Sequence, residues 1–144
     1  MLPAAGGEGP AVLTGDTVLG RGPSVVAAPD GALGPYLSTL RALAALVSAL
    51  DAAPDADPGA PATALLPGHG PVRADAAAAL EQLLAHRLRR LEQVRAAVAA
   101  GASTPQQVVE TVYADVDRAL WPAATLSVRA QLEHLRAHDG ERGS

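Results

Sequence analysis

Apolar positions change their spacing several times along the chain, and each change marks an element. Ala11-Val12-Leu13-Thr14 is a short apolar run of strand type that stops at the turn Gly15-Asp16-Thr17. Ser24-Val25-Val26-Ala27 reads as a second strand, ended by Pro29-Asp30-Gly31. Leu33, Leu37, Leu40, Val47 and Leu50 then recur at helical spacing, with Leu43 and Leu46 widening the stripe and Pro35 in the first turn, where proline is tolerated. Residues 51–62 collect Asp, Pro, Ala and Gly into a long acidic loop. Thr63-Ala64-Leu65-Leu66 predicts a strand that halts abruptly at Pro67-Gly68-His69-Gly70-Pro71.

From Ala76 to Ala100 the period is that of one long helix, with Leu80, Leu84, Leu88, Leu91, Val94 and Val98 as its expected inner face. Gly101 is placed to cap it. Thr104-Pro105-Gln106-Gln107 has the form of a capping box with proline at the first helical position, opening a helix that carries Val108, Val109 and Val112 inward. A break follows at Asp117–Trp121, and Pro122 opens a third helix buried through Val128, Leu132 and Leu135. The cadence is that of a helix-turn-helix. The polar tail from Asp139 is too short for a two-stranded wing.

Composition narrows what such a chain can be. At 144 residues, 49% of them hydrophobic, it can bury a modest core, but aromatics are 2% and Phe is absent, so that core must be built from Ala, Leu and Val. Marginal stability is expected. The formal charge is −4, all 11 cations are Arg, and neither half is basic, which weighs against a polyanion-binding face. The absence of Cys excludes disulfides and thiolate metal sites. The opening Met1–Pro10 is Gly-, Pro- and Ala-rich, expected to be a disordered lead-in, and shows neither a signal peptide nor a membrane span; a cytoplasmic location is the default expectation.

Two side chains are displayed at strand ends. His69 stands between two glycines, which remove neighbouring Cβ atoms, and two prolines, which fix the backbone just outside, so its ring has room for a partner such as a metal ion. Asp16 ends the first strand in the same way. Each has a plainer reading: His69 as a structural turn residue, Asp16 as a turn-former or helix cap. The glycines from Gly15 to Gly22 also mimic a phosphate-binding loop, but Arg21 and Gly22 stand where Lys and Ser or Thr are required, and Val18 and Leu19 do not suit a nest of amides. His86 is a candidate substrate contact or an ordinary exposed helical residue. His134 and His138, four apart near a helix end, most simply complement the helix dipole. Arg87, Arg89 and Arg90 read as a solvated face.

Thr14-Gly15-Asp16-Thr17-Val18-Leu19-Gly20 and Leu66-Pro67-Gly68-His69-Gly70-Pro71 together resemble the last two metal-ligand motifs of metallo-β-lactamase-fold hydrolases. Ala85-His86-Arg87 and the three-helix tail resemble the lactamase-like branch that ends in a winged-helix-type domain and includes ribonuclease-like members. The resemblance implies an α/β fold: part of an αββα sandwich over residues 11–75, after the lead-in of residues 1–10, then a small all-α helix-turn-helix or winged-helix-like domain over 76–144. It implies two zinc ions, with Asp16 bridging both and His69 binding one. It also implies hydrolysis of an ester, thioester, lactam or phosphodiester by a metal-bound hydroxide. The His-x-His-x-Asp-His motif of such enzymes is absent here, so no catalytic residue is assigned to this chain. The expected partners are the missing N-terminal half of the domain, a small-molecule or RNA substrate, and a second copy in a homodimer, without a membrane. A different class remains open: a non-catalytic protein- or nucleic-acid-interaction module with a vestigial metal half-site.

Overall fold

The computed structural model describes residues 9–54 and 59–142, with the side chains of 139–142 left aside. Most of the expected lead-in and part of the acidic loop therefore lie outside the described residues. Within them the order is β1 (Ala11–Gly15), α1 (Leu33–Asp51), β2 (Ala64–Pro67), α2 (Ala76–Ala99), α3 (Pro105–Val112), a single 3-10 turn (Arg118–Leu120) and α4 (Trp121–Arg142). The fold is mixed α/β, a two-stranded parallel sheet with four helices.

The chain divides into two compact units, one of residues 1–24 and 39–84, the other of 25–38 and 85–144. The division is discontinuous, in contrast to the single cut expected after residue 75, because α1 and α2 each contribute residues to both units.

The first unit carries the sheet. β1 and β2 pair in parallel, Ala11 with Ala64, Val12 with Leu65 and Leu13 with Leu66, and Ala64 N–H already donates to Pro10 O at 2.9 Å. Pro10 thus belongs to the ladder and not to the lead-in. Thr14 is an extra residue where the register slips, and its buried hydroxyl donates to Val18 O at 3.0 Å. Such a bulge bends a strand's end and re-aims the loop beyond it. Parallel strands require a crossover, and α1 lies in it. By length and composition α1 could also cross a membrane; it carries Arg41 and buries one stripe, Leu33, Leu37, Leu40 and Val47, while most of its other residues are less buried. Asp51 at its end accepts from both the amide (2.9 Å) and the hydroxyl (2.6 Å) of Thr63, tying the exit of α1 to the entry of β2.

Ser24–Ala27 forms no strand: Ser24 is buried and spends its hydroxyl on loop carbonyls, and no ladder partner meets this stretch among the described residues.

The second unit is helical. α2 ends in a Schellman motif, with Gly101 at φ +108°, its amide on Val98 O and the amide of Ala102 on Ala97 O, both at 3.0 Å. The capping box at Thr104 is fully formed. α3 packs against α4 through a core that includes Val108, Val109, Val128 and Leu135. The inner face of α2 departs from the expected one: Leu88 and Val98 are 44% and 43% exposed, while Ala76, Ala79, Leu83 and Ala97 are buried beside Leu80, Leu91 and Val94. Arg87 and Arg90 are not a solvated face either. Both are half-buried, Arg87 lying 5.1 Å over the Tyr36 ring and Arg90 4.3 Å over Tyr113, where it also donates to Val112 O at 2.7 Å. A guanidinium is weakly hydrated and flat, so an aromatic face and a carbonyl replace its water.

Candidate metal centre

Strands that run in parallel end on one edge, and the loops that follow them meet there; in open α/β sheets this is where ligands gather. After β1 the chain turns at Gly15-Asp16-Thr17, closed by Thr17 N–H to Thr14 O at 3.0 Å. After β2 it runs out to His69 and returns, so that Arg73 exchanges backbone hydrogen bonds with Leu65 at 2.8 and 3.0 Å. The two loops are zipped together by Gly68 N–H to Gly15 O (2.8 Å) and Gly20 N–H to His69 O (2.9 Å).

The glycines are what let the loops touch. A Cβ at Gly68 would stand 3.1 Å from Asp16 Oδ1, and one at Gly20 would run into the backbone of Gly70 and Pro71. Gly70 adds a left-handed backbone, φ +88°, that other residues adopt only with strain. Two further residues, whose parts are invisible in sequence, brace this edge. The Ser24 hydroxyl lies 2.7 Å from Asp16 O and 3.0 Å from Thr17 O. The Arg73 guanidinium donates from Nε to Leu19 O at 3.3 Å, so one residue pins both loops. No periodicity marks either; the only sequence signal is their nearness to the two displayed turns.

The outcome is that Asp16 and His69, far apart in sequence, present Oδ1 and Nε2 at 3.6 Å, with the two side chains 74% and 79% exposed. That separation is too long for a hydrogen bond, and as an exposed ion pair it would contribute little to stability. It does suit a shared cation. Two ligand atoms each about 2.0–2.1 Å from one zinc ion at a tetrahedral angle stand about 3.3–3.4 Å apart, so the donor pair fits two positions of a zinc shell with a small adjustment. Two positions are all it fills: among the described residues no group of three or more His, Asp or Glu side chains is arranged to hold a metal.

His86 lies in the other unit, half-buried on α2. Burial, followed by the charges of Arg87, Arg90 and Arg89, lowers its pKa below the ordinary 6.5. The rings of His134 and His138 lie 4.2 Å apart between centroids and are tilted by 45°, with His138 Nδ1 3.1 Å from His134 O, in the C-terminal half of α4.

Comparison with known proteins places this architecture. Residues 104–139 match the β-lactamase-associated winged helix domain. The chain is similar to the crystal structure of a β-lactamase domain protein from Burkholderia ambifaria, with a TM-score of 0.69 and 27% identity over 90% of this chain and 37% of that one. It is similar also to a metallo-β-lactamase family protein from Thermus thermophilus, with a TM-score of 0.65 and 25% identity over 90% of this chain and 37% of that one. The match therefore spans 37% of the length of each of these solved structures. No curated protein matches it.

Proposed function

The chain has the C-terminal portion of a metallo-β-lactamase-like fold, ending in a winged helix of the lactamase-associated kind, and on that premise we propose that it supplies two metal ligands to a zinc-dependent hydrolase. The observation that carries the reading is the 3.6 Å juxtaposition of Asp16 Oδ1 and His69 Nε2 at the C-terminal edge of a parallel strand pair. Asp16, a carboxylate with two oxygens, is the ligand able to face two ions at once; His69 supplies one imidazole nitrogen to one of them. Zinc bound there would polarise the scissile group and lower the pKa of water toward neutrality. The rest is positional: the hydrogen bonds between the loops hold the two donors at one edge, and the glycines keep that edge free of side chains that would block a metal or substrate. A small molecule is proposed as the substrate.

A complete structural zinc site in a small peptide is worth on the order of 10 kcal/mol, and two ligands retain only a fraction of that. The 144 residues alone should therefore bind zinc weakly and lose it on dialysis. A longer polypeptide carrying a His-x-His-x-Asp-His segment ahead of Ala11 should hold zinc stoichiometrically, measured by metal analysis, and should turn over an ester or phosphodiester. In that polypeptide His69→Ala and Asp16→Asn should each lower zinc content as well as turnover. Unchanged zinc content in both variants would overturn the assignment, and tight zinc in the 144-residue chain would show that its ligand set is fuller than two.

A further inference from the structure

The helical unit contains a cleft of about 210 Å³ between the C-terminal turns of α2, the start of α3 and the middle of α4. Its apolar lining is Val98, Ala102, Val108, Leu132 and Leu135, and of these Val98 is 43% exposed. The polar groups at the start of α3 are already satisfied: the Gln107 side chain accepts from Ser103 N–H at 2.8 Å, from the Ser103 hydroxyl at 3.1 Å and from Thr104 N–H at 3.3 Å. What remains is positive charge. Arg95 and Arg136 both line the cleft; Arg95 is paired with Glu92 at 2.8 Å, while Arg136 is exposed and has no ion-pair partner among the described residues.

We infer that this cleft binds a small amphiphilic carboxylate, its chain laid against Val98, Val108, Leu132 and Leu135 and its anionic end taken by Arg136 with Arg95 beside it. In a chain of net charge −4, two guanidinium groups line one apolar hollow; Glu92 already takes up the charge of Arg95, and the planar fork of Arg136 matches a carboxylate. The N-terminal end of α3 adds its partial positive charge to the same wall. The volume, about 210 Å³, suits a short to medium aliphatic chain. A chain laid on the apolar side of the cleft would gain burial of Val98, Val108, Leu132 and Leu135.

Octanoate is the probe, titrated into the full chain below its micellar concentration and followed by amide and methyl NMR. Saturable shifts should gather at Val98, Ser103, Val108, Leu132 and Leu135, and the midpoint of thermal unfolding should rise with octanoate, since the ligand binds only the folded unit. Octylamine, with the same chain and the opposite charge, should bind at least tenfold more weakly. Arg136→Gln, at an exposed position, should weaken octanoate about tenfold, and Val98→Phe should fill the hollow and abolish the shifts; a circular dichroism spectrum matching the parent shows each variant folded. Equal binding of octanoate and octylamine would overturn the inference, as would an unaltered affinity in Arg136→Gln. So would shifts at these residues that appear with protein concentration alone, because the cleft would then be a contact between copies of the chain.

Discussion

At the scale of single residues the candidate metal centre depends on positions that have no side chain. Gly70 is held at φ +88°, and a Cβ there would stand 3.0 Å from Gly20 Cα. Gly70→Ala combines a left-handed backbone penalty with that contact, so it should cost the sheet unit about 1–3 kcal/mol in denaturant unfolding. It should also reduce the zinc content of the longer polypeptide, since His69 is its neighbour. A loss below about 0.5 kcal/mol would mean that the loop adapts freely. This part of the site is legible in the sequence because glycine and proline punctuate so strongly: the pattern Pro-Gly-His-Gly-Pro announces a displayed ring. The arginines of α2 are not legible, because charge alone predicts solvent and nothing local reveals that Tyr36 and Tyr113 will lie beneath Arg87 and Arg90.

At the scale of elements, helix ends read well and helix faces read less well. The capping box at Thr104 and the glycine cap at Gly101 are written in a few adjacent residues, and both form as those residues dictate. Thr104→Ala should cost about 1 kcal/mol of helical-unit stability, within the roughly 0.5–2 kcal/mol range of N-cap replacements, measured by chemical denaturation. The face of α2 is a different problem. Its core contacts begin with Ala76 and Ala79, small residues that a stripe of Leu and Val does not register, and the true stripe is rotated away from Leu88. That rotation leaves His86 half-buried among arginines and disfavours its charged form. An unfolded chain takes up a proton near pH 6.5 that the folded one takes up only lower. The stability present above pH 6.5 should therefore decline as the pH falls from there toward the folded pKa. His86→Gln should flatten the pH dependence of thermal unfolding just below pH 6.5, above the range where carboxylates titrate. Parallel curves for the two proteins would exclude His86 as the cause.

At the scale of the whole molecule, the order of strand, crossover helix, strand and helical tail is readable from hydrophobic spacing, and with it the meeting of Asp16 and His69 on one edge. The second strand expected at Ser24–Ala27 is not secured by its apolar residues, because a strand exists only where a partner offers a ladder, and pairing is a non-local property. The two discontinuous units are likewise unreadable from composition, which shifts gradually across helices that serve both.

The parallel pairing has a kinetic consequence. Ala11 meets Ala64 only after the whole of α1 and its flanking loops have been closed into a ring of chain, whereas α3 and α4 are joined by the short connection 113–120. Loop closure is an entropic toll exacted before the ladder returns any hydrogen bonds, and chains rich in distant pairings fold more slowly than chains of neighbouring helices. During refolding the amides of Val108–Val112 should thus become protected from exchange earlier than those of Leu65 and Gly68, and pulsed hydrogen exchange would show the order. The edge that presents Asp16 and His69 would then be the last part of the chain to take shape, formed by side chains that have no reason to meet until the sheet itself exists.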